Sequence, residues 1–139
     1  RDVSELLAAA GPLPADSTRT EVIAVDHPCH LVHGQRLSAQ PGQLLGAING
    51  LRASELPDAA TCCGSAGLYS LAQPGLSQQI LAPKLAGIAA SGARTVVTGN
   101  PGCMMHIGAG LLRAGSDVQV RHPVELLDEA YTAHRDAPK

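Results

Sequence analysis

Glu21-Val-Ile-Ala-Val-Asp26, followed at once by His27-Pro28-Cys29, is the stretch that decides the fold. The run is short, apolar and rich in β-branched residues, which predicts a buried strand. Pro28 closes it and a cysteine comes directly after. The same pattern returns at Arg94-Thr-Val-Val-Thr98, which runs through Gly99-Asn-Pro-Gly102 into Cys103. Leu51 to Leu56 reads as a weaker second strand leading into Cys62 and Cys63. Asp117-Val-Gln-Val-Arg121 reads as a fourth, with His122 behind it.

Helical segments fill the intervals. A leading helix is expected over Val3–Ala10, and Gly11 to Asp16 is a breaker segment closing a leading unit of residues 1–16. A second helix is expected from Leu31 to Ile48. A long helical stretch from Ala66 to Ser91 should be cut by Pro74 and Pro83. Leu81, Leu85 and Ile88 share one helical face there, and Gly92 fits the C-cap. A short helix follows from Cys103 to Arg113. Pro123 suits the first position of a closing helix, with Val124, Leu127 and Tyr131 along one stripe.

Strands alternating with helices imply an α/β fold: a small open sheet of about four parallel strands flanked by helices. The 139 residues suit one domain. Open parallel sheets bind ligands beyond the carboxyl ends of their strands. Cys29, Cys62, Cys63 and Cys103 all fall just after predicted strands, so segments far apart in sequence should deliver four thiols to one edge.

Composition narrows the function. Apolar residues make up 45% of the chain, yet there is no Phe and no Trp, and the aromatics are Tyr69 and Tyr131. The core must be aliphatic, and a base-stacking surface is not expected. The net charge of −2 and the scattered ten Lys and Arg speak against nucleic acid as a partner. No apolar run reaches the roughly 18–20 residues of a membrane span. Leu6 to Ala10 is too short for a signal peptide and lacks a basic segment before it. A first residue of Arg suggests a piece of a longer chain.

Four cysteines without a secretory signal point to metal or redox chemistry before disulfides. Cys62 and Cys63 are adjacent, and neighbouring cysteines bridge each other only with strain. Gly64 permits a sharp turn that could aim both thiols into one site. Thiolates suit iron–sulfur clusters and zinc alike. His106, three residues after Cys103, could act as a further ligand or as a hydrogen-bonding neighbour of the ligands. His27, His30 and His33 crowd around Cys29, but polar residues are common at such a turn. His122 fits better beside the start of the closing helix. Gly64-Ser-Ala-Gly67 lacks the Lys of a phosphate loop. Gly64 and Gly102 are instead expected to bring backbone close to a cofactor, with nearby amides facing its sulfurs. Thiol–disulfide exchange is disfavoured, since no Cys-x-x-Cys opens a helix.

Taken together, Cys29, Cys62-Cys63-Gly64 and Cys103 resemble the cysteine-rich CCG domain family. That family includes a cysteine-rich component of heterodisulfide reductase and the iron–sulfur subunit of glycolate oxidase. His33-Gly34-Gln35, Cys62-Cys-Gly-Ser-Ala-Gly67 with Tyr69-Ser70, and Arg121-His-Pro-Val-Glu-Leu-Leu-Asp128 are similar to the carboxyl-terminal part of the latter. The resemblance runs from about Val22 to Ala130. It implies an electron-transfer domain of a flavin-dependent glycolate or 2-hydroxy-acid dehydrogenase, non-catalytic by itself. Other subunits would carry the flavin and the substrate site. It implies a 4Fe–4S-type cluster, non-cubane in some relatives, on Cys29, Cys62, Cys63 and Cys103. Zinc is the alternative, in a structural module that docks subunits. The family signature ends in Cys-x-x-Cys, whereas this chain has His106 at the last position. A cytoplasmic location, at most peripheral at the inner membrane, follows from the same resemblance.

Overall fold

A computed structural model describes residues 1–57 and 59–136. Four strands form a single parallel sheet: β1 (Ala15–Asp26), β2 (Ile48–Glu55), β3 (Thr95–Thr98) and β4 (Gln119–Arg121), in the order β2-β1-β3-β4. Ala24 of β1 lies opposite Ser54 of β2 and Val96 of β3, and Val96 lies opposite Val120 of β4. The expected α/β architecture with about four parallel strands is the one observed.

Alternation along β1 and β3 sorts the core into two layers. Ile23, Val25 and Val97 face α2 (Gln40–Gly46) and α6 (Pro123–Asp136), meeting Leu44, Leu45, Leu126, Leu127 and Ala130. Leu7 and Ala8 of α1 (Val3–Ala10) pack at the margin of this layer. Ala24 and Val96 face the other way, against Leu81 and Ile88 of α4 (Pro74–Ser91) and Ile107 and Leu111 of α5 (Pro101–Arg113). Cys63 and Cys103 belong to this second layer. A sheet covered on both faces accounts for the near-continuous apolar runs of β1 and β3.

Four expectations are corrected. The segment Leu31 to Ile48 is not one helix. A π-helical turn, His30–Gln35, ends at Arg36 with φ 58°, α2 starts afresh with Pro41 in its first turn, and Ile48 already belongs to β2. Pro41 has no amide to continue a preceding helix but suits the start of a new one. Pro74 does divide the next stretch, separating α3 (Tyr69–Ala72) from α4, but Pro83 lies inside α4 without ending it. Pro83 and Gln79 are both exposed, so water can satisfy the carbonyl that Pro83 leaves free. The burial of Leu81, Lys84 and Ile88 on the opposite side holds the helix together. The leading unit of residues 1–16 is shorter than expected, because β1 begins at Ala15 and shifts register between Asp16 and Glu21. On α6 the buried stripe is Leu126, Leu127 and Ala130, while Val124 and Tyr131 are half-buried.

Ile88 is fully buried between α4 and the sheet. Ile88→Ala is expected to destabilise the fold by about 2–5 kcal/mol, read from the urea midpoint at unchanged slope.

Candidate metal centre

The sheet order sets the place of the site. From β1 the chain passes to α2 on one face, and from β3 to α5 on the other. Neighbouring strands whose connections part in this way leave a crevice beyond their carboxyl ends. Cys29 follows β1, Cys62 and Cys63 follow β2, and Cys103 lies in the first turn of α5 after β3. All four line one cavity of about 530 Å³, together with His30, Ser65, Asn100, Gly102 and Met105. Asn100 caps α5, its Oδ1 accepting from the Cys103 amide at 2.9 Å. His30 Nδ1 lies 3.4 Å from Asn100 Nδ2, joining the loops after β1 and β3.

The thiols stand as two pairs. Cys63 and Cys103 are buried, with 3.3 Å between their sulfurs. Cys29 and Cys62 are half-buried, and both line the same cavity. All four are unbridged. The Cys63–Cys103 bond favours Cys63 as thiolate and Cys103 as thiol. It lowers the Cys63 pKa from 9.0 to about 7, against the opposing effect of burial, and the same bond with burial drives Cys103 upward. Burial, then Cys62, raises Cys29. Backbone amides serve the sulfurs: Gly64 N–H donates to Cys62 Sγ at 3.3 Å, and the Ser65 and His30 amides act to lower the pKa of Cys63 and Cys29. Among the described residues, no three His, Cys, Asp or Glu side chains close around one ion position. Four thiols on a roomy cavity, with amides directed at their sulfurs, nevertheless form a donor set suited to an iron–sulfur centre.

Residues 23–108 match the CCG family, described as a cysteine-rich domain. The chain belongs to the CCG cysteine-rich domain family. It is 38% identical over 112 residues to the probable glycolate oxidase iron-sulfur subunit of Bacillus subtilis, covering 79% of this chain and 25% of that protein. It is 32% identical over 128 residues to lactate utilization protein A of an Exiguobacterium strain, covering 92% of this chain and 50% of that protein. With lactate utilization protein A of Oceanobacillus iheyensis it shares 34% over 103 residues, covering 73% and 42%. The chain thus spans a quarter to a half of the length of these relatives.

Beneath the thiols of this CCG domain lies a buried ion pair that sequence reading missed. Asp26 at the end of β1 bonds Lys84 of α4 through Oδ1 and accepts from Thr98 Oγ1 at 2.7 Å through Oδ2. Lys84 Nζ also donates to the Ala59 carbonyl at 3.2 Å. Both charges are felt above: Lys84 helps to lower the Cys63 pKa, whereas Asp26 raises those of Cys63 and Cys103. A lysine on an otherwise apolar helix face gives no sequence signal of its role until the partner across the layer is known.

The expected site residues divide. Gly102 lines the cavity, and a Cβ there would stand 3.0 Å from Asn100 Oδ1 and 3.3 Å from Ser65 Oγ. Gly64 is not among the lining residues. Its φ of 86° and a Cβ position 2.6 Å from the Ser77 carbonyl oxygen show why glycine stands there. His106 does not line the cavity either. Its Nε2 lies 2.9 Å from Ser77 Oγ, and burial lowers its pKa below 6.5. His27 is engaged with Glu55 at 2.8 Å. His33 lines an open hollow beside Cys29 and Cys62. His122 accepts from the Val124 amide at the start of α6.

Two outcomes follow for the metal-free protein. Ultraviolet thiolate absorbance should rise in a step near pH 7 that vanishes in Cys63→Ser. Between pH 7 and 9 the folded chain holds fewer protons at Cys63 than the unfolded chain. This thiol's contribution to stability therefore increases with pH across that window and is lost as the pH falls through 7. Separately, Lys84→Met strands a buried carboxylate and should cost about 3–5 kcal/mol, whereas Lys84→Met with Asp26→Asn should cost less, both measured by urea unfolding.

Proposed function

We propose that this chain is the iron–sulfur, electron-carrying domain of a larger system that oxidises a hydroxy acid such as glycolate or lactate. The observation that carries the proposal is the meeting of four thiols from three strand ends on one cavity. Cys29, Cys62, Cys63 and Cys103 would hold a 4Fe–4S-type cluster. Such a cluster takes up and releases one electron at a time, at a potential set by its surroundings.

This chain's own residues supply those surroundings. The amides of His30, Gly64 and Ser65 face the sulfurs of Cys29, Cys62 and Cys63. Cys63 and Cys103 anchor the centre in the aliphatic core, while Cys29 and Cys62 stand nearer the surface, where an electron partner can approach. That partner would be a flavin-containing subunit carrying the substrate site; the name of one relative, an iron-sulfur subunit, supports only that such a chain works beside other subunits.

Metal analysis and a visible spectrum of protein purified without oxygen test the proposal. Iron with broad charge-transfer absorption is expected. A colourless protein with stoichiometric zinc would overturn it in favour of a structural module that docks subunits. Cys62→Ser should abolish most of the iron while circular dichroism stays unchanged, because the sheet has its own core. Unfolding of that variant would mark a metal on which the fold depends.

A further inference from the structure

We infer that His106 and Ser77 form a clamp that holds the Cys62-Cys63-Gly64 turn in place, so that His106 positions the thiols instead of binding the metal. The inference rests on the reading of the four cysteines as ligands, and it assigns a task to two residues outside that set.

Ser77 is wholly buried in the first part of α4. Its Oγ donates to the Gly64 carbonyl at 2.8 Å. A hydroxyl has one proton, so the 2.9 Å bond between Ser77 Oγ and His106 Nε2 must be donated by the histidine. That fixes the proton on Nε2 and leaves the lone pair on Nδ1; His106 does not line the cavity on which the four thiols meet, so that lone pair is not presented there. The backbone tightens the same contact. Gly64 approaches α4 so closely that an added Cβ would stand 2.6 Å from the Ser77 carbonyl oxygen and 3.2 Å from Ile80 Cβ. The turn is therefore gripped by the hydroxyl of Ser77 and pressed against its backbone.

The connection matters because of what each end carries. His106 sits one turn after Cys103 on α5, and Gly64 follows Cys63 directly. Cys63 and Cys103 are the two sulfurs that stand 3.3 Å apart. The chain His106–Ser77–Gly64 thus runs from the helix bearing one sulfur, across α4, to the turn bearing the other. It fixes their separation through residues none of which lines the cavity.

Four single variants of the protein and one double variant test the clamp: His106→Gln, His106→Cys, His106→Ala, Ser77→Ala, and Ser77→Ala combined with His106→Ala. Glutamine can still donate to Ser77 from about the position of Nε2 but is a poor metal ligand. Cysteine is a good ligand and a poor substitute for that donor. Two readouts are taken: labelling of Cys63 by a small thiol reagent in metal-free protein, and iron content with its spectrum after anaerobic reconstitution. His106→Gln should match the parent within about twofold in both. His106→Ala, His106→Cys and Ser77→Ala should each speed labelling about tenfold, as expected for loss of one buried hydrogen bond. Each should also take up less iron, and Ser77→Ala combined with His106→Ala should be no worse than either alone. The clamp is overturned if Ser77→Ala labels like the parent, or if His106→Cys keeps full iron with a changed spectrum while His106→Gln loses it. A parent protein that takes up no iron would sink the cluster reading. The labelling experiment, which needs no metal, would still decide the clamp.

Discussion

The buried contact between Asp26 and Lys84 is the interaction on which the upper half of the molecule depends. Asp26 ends β1, Thr98 ends β3, Lys84 belongs to α4 and Ala59 lies in the loop that leads to the paired cysteines. One carboxylate and one ammonium therefore join two strands, a helix and the loop that bears the paired cysteines. The Ala59 carbonyl also accepts from the His27 amide at 3.1 Å, which ties the turn before Cys29 to the same point. Removing two charges from water is costly, and their pairing offsets that cost only when the remaining lone pairs and protons find partners. Here Thr98 and Ala59 provide them. Such a pair adds little net stability, but loss of either partner leaves the other as an uncompensated buried charge.

Above that pair, the site is asymmetric. Cys63 and Cys103 are part of the aliphatic core between the sheet and the helices α4 and α5, and their environment is fixed by Leu81, Ile107 and their neighbours. Cys29 and Cys62 sit on loops with one side open. The rigid half secures position, and the open half gives access. This division also buries the perturbed thiol, Cys63, so that its lowered pKa reflects hydrogen bonding from Cys103 and the Ser65 amide instead of exposure.

The relatives are two to four times as long as the part of them that this chain covers. Among the described residues, no helix is long and apolar enough to cross a membrane.

Much of this was legible in the sequence. Short β-branched runs ending in cysteine gave the parallel sheet and the common edge, because strand periodicity and breaker residues are local signals. The spacing of the cysteines gave the family. The sequence could not disclose that Pro83 is tolerated within α4 or that Leu31 to Ile48 breaks into two pieces, since neighbouring layers decide both. It could not place His106, which three-residue spacing from Cys103 alone puts near the thiols. Whether its Nε2 faces the cavity or Ser77 depends on where α4 lies against α5. Nor could it pair Asp26 with Lys84 across 58 residues. The sequence by itself determined which atoms could bind and at which edge of the sheet they would gather. Only the tertiary structure decided which side chains support them, because burial of charge and the direction of a hydrogen bond are properties of packed surfaces and not of the chain order.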